Sequence, residues 1–283
     1  MGRGFVLKDC GQTKMFEITS FKETGLVEHG FSTRIGGVGK EPYDTLNLAL
    51  HVGDEPADVI ENRNRACELF DVDISRIVTC QQVHGTNIEA VTEGAAGLGA
   101  ISYDEAFPDT DGIITNRPGL LLATFYADCV PLFILDPVKK VVGSIHAGWK
   151  GTVAGIGAVA LERMTAEYGS NPADCLVGIG PSIGPCCYEV DGPVIDELHK
   201  FSWWQDVISE LGRGLPHLNL WETNRRIMID AGVQEKNIQI AGVCTCCSQD
   251  ILFSYRGGQG VTGRMGAFIM LKGVPEGVGS NDG

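Results

Sequence analysis

The chain has 283 residues, 43% of them hydrophobic, so it can bury a sizeable core without a disulfide or metal staple. Its 36 acidic and 22 basic residues leave a net charge of −14, which argues against a general nucleic-acid binder. A small anion held by a few focused arginines remains compatible with that charge.

No apolar run reaches the length of a membrane span, and MGRGFVLKDCGQTKMFE lacks the apolar core of a signal peptide. The expectation is a cytoplasmic protein with no membrane or nucleic-acid partner, present as a monomer or a homodimer. Its ten cysteines are then mostly thiols.

Taken in chain order, apolar and β-branched runs bounded by Gly, Pro and Asp predict short strands. They fall at 26–32, 77–83, 87–92, 111–115, 120–126, 130–135, 140–146, 175–180, 238–243 and 251–255. A hairpin is expected around Asp136-Pro137. Helices are predicted at 55–70, 151–168, 190–200 and 222–231. The first opens on Asp54 with Pro56 close behind, and the second carries Val153, Ile156, Val159, Ala160 and Met164 at helical spacing. The pattern is α+β, a layered mixed β-sheet core with flanking helices in a single domain. Residues 1–25 form an N-terminal segment, 26–272 the domain and 273–283 a flexible tail.

Three constellations carry chemistry. They are Gln82-Val83-His84-Gly85 at a strand end, Ala127-Asp128-Cys129-Val130-Pro131 between two apolar strands, and His146-Ala147-Gly148-Trp149-Lys150-Gly151-Thr152 where a strand enters a helix. If His84, Cys129 and His146 converge, they form a Cys-His₂ set with one open position, the composition of a catalytic zinc site. Asp128 is placed to orient a ligand or move a proton. An anion needs convergent donors, and Arg34, Lys150, Arg256 and Arg264 are the candidates, with Asn47 able to bond a base or ribose.

The segments HGFSTRIGGVG (29–39), LNLALHVGD (46–54), ENRNRA (61–66), QQVHGTNI (81–88), DTDGIIT (109–115), ADCVPLF (127–133), HAGWKGT (146–152), GIGPSIGPCCYEV (178–190), CT (244–245) and FSYRGGQGVTGRMGAFI (253–269) occur in this order. Together they resemble the YfiH family, also called laccase-domain or polyphenol-oxidoreductase proteins. That resemblance implies one zinc per chain on His84, Cys129 and His146. It implies phosphorolysis of adenosine, inosine, guanosine and methylthioadenosine, with deamination of adenosine. It also raises Arg34 and Lys150 as phosphate contacts, Lys150 standing where the family often has arginine. Six histidines are too few for a multicopper oxidase, so copper is the less favoured metal.

Three rivals remain open: a thiol hydrolase or transferase with Cys129 as nucleophile and His146 as base, a non-catalytic nucleotide-binding protein, and a copper phenol oxidase. His29 and His51 fall within family segments, while His199 and His217 are expected at the surface. Cys186-Cys187 and the group Cys244, Cys246, Cys247 are read as unligated thiols, because adjacent side chains of an extended strand point opposite ways. Trp203-Trp204 is read as a packing or dimer contact.

Overall fold

The computed structural model describes residues 4–209 and 214–273, so most of the expected tail lies outside the described residues. The strands are β1 (Phe5–Cys10), β2 (Thr13–Ile18), β3 (Val27–Ser32), β4 (Ile77–Val78), β5 (Ile88–Ala90), β6 (Gly112–Thr115), β7 (Leu121–Tyr126), β8 (Val130–Asp136), β9 (Val141–Ala147), β10 (Leu176–Ile179), β11 (Ile208–Ser209), β12 (His217–Leu218), β13 (Ile238–Ile240) and β14 (Met265–Leu271). The helices are α1 (Thr19–Thr24), α2 (Pro56–Glu68), α3 (Trp149–Val153), α4 (Ile156–Tyr168), α5 (Gly192–Leu198) and α6 (Leu220–Asp230).

Two mixed six-stranded sheets stack on each other. The first runs β1-β2-β3-β14-β7-β4 and the second β13-β10-β8-β9-β6-β5. Alternate residues of β7 show the layering. Leu122 and Tyr126 face the second sheet, among Phe31, Phe133 and Val142. Leu121, Ala123 and Phe125 face Ala66 and Cys67 of α2. On the far side, Ile145 and Ala147 of β9 pack on Ile156, Ala160 and Met164 of α4. The order is helix, sheet, sheet, helix, an α+β single domain. Central strands buried on both faces explain why LLATFY and VPLFIL read as continuous apolar runs rather than alternating ones.

The Asp136-Pro137 hairpin is present. Asp136 is fully buried, and its Oδ1 accepts the Val138 and Lys139 N–H groups in the β8–β9 turn. Several other expectations are corrected. The 151–168 helix is two helices, parted at Gly155 with φ of 82°. The 77–83 strand stops at Val78, and beyond it the Gln82 side chain pairs with the Phe125 backbone through two bonds of 2.8 Å. Residues 251–255 form turns, tied by the Ile251 and Leu252 N–H groups to the Ser248 carbonyl. Strands β1, β2, β11, β12 and β14 lie outside the runs that predict strands. β14 lies between β3 and β7 and completes the first sheet.

A buried arginine ties α2 to this frame. Arg63 is 2% exposed and donates to the carbonyls of Leu48, Gly99 and Ala100, with its guanidinium 4.6 Å from the Phe125 ring centre. Arg63→Met would strand three buried carbonyls, each costing about 1–3 kcal/mol. We expect a loss of about 3 kcal/mol or more, read as a fall in denaturant midpoint with an unchanged slope.

Candidate metal centre and active site

The sheet register brings the key residues to one end of the molecule. Val130 pairs with Ala147 and Pro131 with His146, so Cys129, just before β8, meets the His146-Ala147-Gly148 end of β9. Gly112 pairs with Ile145, so Asp111, just before β6, also lies beside His146. His84 arrives from the loop after β4 with φ of 63°.

Asp111 assembles the group. It is fully buried. Its carboxylate accepts the backbone N–H groups of Val83, His84 and Gly85 at 3.3, 2.9 and 2.6 Å. It also bonds His146 Nδ1 at 2.8 Å, leaving Nε2 as the free ring nitrogen. Burial pushes the Asp111 carboxyl up, but the His146 bond and the loop N–H groups more than reverse this and hold it below the usual value. Sequence reading passed over Asp111. The signal was the DTDG segment, which places an acidic residue against an apolar strand.

The donor atoms of His84, Cys129 and His146 all lie within 4.8 Å of one another. His84 Nε2 is 3.6 Å from Cys129 Sγ, close to the roughly 3.5 Å that tetrahedral zinc with nitrogen and sulfur ligands requires. Burial raises the Cys129 thiol, but facing His146 and His84 lower it overall. Burial lowers the His146 imidazole, but the Cys129 sulfur and Asp111 raise it overall. Each group thus favours the charged form of the other. Gly148 is required by contact: a Cβ there would fall 2.5 Å from His84 Cδ2 and 3.3 Å from Cys129 Sγ.

This group lies on a cavity of about 430 Å³, within the size range of small-molecule sites. Aromatic walls come from Phe125, Trp149, Tyr188 and Tyr255, and cations from Arg256 and Arg264. His51 and Asp128 also line it. Asp128, at φ of 84°, has both oxygens engaged. Oδ1 accepts the Thr245 hydroxyl and Oδ2 the Arg256 backbone N–H, each at 2.6 Å.

The other anticipated residues lie elsewhere. The Arg34 guanidinium is occupied by Asp44 and the Gln249 carbonyl, outside the cavity lining. Lys150 is exposed, lies over the Trp149 ring and does not line the cavity. Asn47 is fully buried and supports the site from behind, its Oδ1 accepting the Arg264 backbone N–H. His29 is structural, its Nε2 accepting the Ile18 N–H. His217 is buried rather than superficial, its Nδ1 donating to the Pro185 carbonyl at 2.6 Å. The cysteine reading also changes. Residues 185–187 form a turn, so strand alternation does not apply, and Cys186 and Cys187 both face Cys247 at 3.5 and 3.3 Å.

A family model described as "Multi-copper polyphenol oxidoreductase laccase" matches residues 28–272. The chain belongs to this family. It is 42% identical over 244 residues to the purine nucleoside phosphorylase YlmD of Bacillus subtilis, covering 86% of this chain and 88% of that one. It is 34% identical over 243 residues to the purine nucleoside phosphorylase YfiH of Escherichia coli, covering 85% and 92%. The crystal structure of YlmD from Geobacillus stearothermophilus superposes with a TM-score of 0.90 at 36% identity, covering 95% of this chain and all of that one.

Two substitutions probe the centre. Asp111→Asn should weaken metal binding about 10- to 100-fold in a chelator competition, since it removes a charged support of a ligating imidazole. The same substitution should lower stability at neutral pH. The carboxyl is held below its unfolded value, so its contribution is present above about pH 4 and fades as pH falls further. Wild type and variant should therefore converge in acid denaturation. Gly148→Ala should abolish tight metal binding at the His84-Cys129-His146 group while far-ultraviolet circular dichroism stays unchanged.

Proposed function

We propose that the chain is a zinc-dependent purine nucleoside phosphorylase. It would act on adenosine, inosine, guanosine and methylthioadenosine, with deamination of adenosine as a second activity. The observation carrying this reading is the convergence of His84, Cys129 and His146 on a cavity that also holds two arginines and four aromatic walls. The phosphorylase names of the similar proteins support it.

In phosphorolysis a phosphate oxygen attacks C1′ of the ribose while the bond from C1′ to the purine nitrogen breaks. The bonding electrons leave with the purine, which then takes a proton. Arg256 and Arg264 supply the positive charge that holds phosphate against C1′. Each spends some of its N–H donors on backbone carbonyls and keeps others for an anion. Tyr188, Trp149 and Tyr255 offer flat faces to a purine. Zinc held by His84, Cys129 and His146 would supply a Lewis acid at its open position. Asp111 keeps the His146 ring in one tautomer. Asp128, with both oxygens bonded, holds Cys129 and the Arg256 loop in place. A multicopper oxidase centre needs more imidazoles than the two that converge among the described residues.

One arrangement favours a second reading. Cys129, His146 and Asp111 also form a thiolate, imidazole and carboxylate series, which is the layout of a thiol hydrolase. Fast alkylation of Cys129 by iodoacetamide in the zinc-loaded protein would favour that rival, because a metal-bound thiolate is shielded.

The deciding assay incubates the protein with inosine or adenosine, with and without phosphate, and separates the products. Free hypoxanthine or adenine should appear only with phosphate, and inosine should form from adenosine without it. Cys129→Ala should lose the metal of the His84-Cys129-His146 group and turnover together. Full turnover by Cys129→Ala would overturn the assignment.

A further inference from the structure

A second sulfur cluster lies outside the catalytic group. The Sγ atoms of Cys186, Cys187, Cys244 and Cys247 all fall within 4.8 Å of one another. They come from two one-turn loops. In the first, the Cys187 and Tyr188 N–H groups close on the Gly184 carbonyl, which turns two adjacent cysteines toward one point. In the second, the Ser248 N–H closes on the Cys244 carbonyl, bringing together Cys244 and Cys247, a C-x-x-C pair. A parallel bridge between Ser182 and Cys244 holds the loops side by side. Cys246, between the ligand pair, is not one of the four.

We propose that these four cysteines bind a second, structural metal ion of the zinc type, coordinated only by thiolates. Tetrahedral zinc with four sulfurs at about 2.3 Å places the sulfurs about 3.8 Å apart. The observed contacts of 3.5 Å from Cys186 to Cys247 and 3.3 Å from Cys187 to Cys247 need only small adjustments. The Gly184 N–H donates to Cys244 Sγ at 3.2 Å, the kind of backbone bond that stabilises a ligating thiolate. Four ligands leave no open position, so the site binds no substrate. All ten cysteines are free thiols in this structure, so no disulfide competes for these sulfurs.

The position gives the ion a task. The first loop continues into Tyr188, a cavity wall, and the Cys187 and Glu189 carbonyls accept from the Arg256 guanidinium. The second loop contains Thr245, whose hydroxyl bonds Asp128 beside Cys129. Both loops thus reach the catalytic cavity, and the ion clamps them together. Metal binding here is folding energy for this wall of the site.

The test separates this ion from the catalytic one. Cys129→Ala protein, freed of metal under reducing conditions, is titrated with cobalt(II). It should still take up one tight equivalent with strong thiolate-to-cobalt charge-transfer absorption, although its catalytic thiolate is gone. No such absorption would overturn the proposal, whatever the protein does with nucleosides. Zinc content supplies the second measurement. Wild type should carry two zinc ions per chain, and Cys129→Ala and Cys186→Ser/Cys247→Ser one each. Equal zinc content in wild type and Cys186→Ser/Cys247→Ser would overturn it. If the double variant does not fold, the cobalt titration decides alone. Four-thiol loss as disulfides in protein purified without reductant, with one zinc retained, would also count against it.

Discussion

The buried carboxylate of Asp111 ties the His84-Cys129-His146 group to the sheets. An unpaired carboxylate in a dry interior is strongly unfavourable, so it must collect donors. It takes three from consecutive backbone N–H groups of the His84 loop and one from His146. Those bonds hold an irregular loop against the ends of β6 and β9. They also leave one His146 nitrogen free to face the cavity. A single buried charge thus sets the position of His84 and the orientation of His146.

The rest of the site follows from strand register and close approach. Cys129 and His146 are neighbours because β8 and β9 pair residue by residue from Val130 and Ala147 onward. Gly148 lets the β9 exit pass His84 and Cys129 at distances no side chain could share. Asp128 then links Cys129 to two distant loops, one through Thr245 and one through Arg256. The cavity therefore joins segments widely spaced along the chain, and its cations come from loops rather than helices.

A cation-lined cavity in an acidic protein is consistent on these terms. The net charge of −14 belongs to the whole chain, whereas Arg256 and Arg264 line one cavity with aromatic walls. Low-dielectric walls strengthen short-range attraction, and solvent screens the distant carboxylates.

The amino-acid sequence by itself determined the α+β class, the buried central strands, the β8–β9 hairpin and the three metal-ligand candidates. Each was readable because apolar runs and turn residues are local signals. His84, Cys129 and His146 stood out through short motifs at strand ends and through their resemblance to a known family. Only the tertiary structure decided which polar residues share a space. It drew Arg256 and Arg264 to the cavity, committed Arg34 to Asp44 and left Lys150 on the surface. It made Asn47 a support, buried His217 and brought forward Asp111 and the four-cysteine cluster. Strand β14 was equally out of local reach, because its place between β3 and β7 depends on partners far away in the chain. Local spacing reports helix faces and turns, whereas register, burial and long-range hydrogen bonds exist only once distant segments have met.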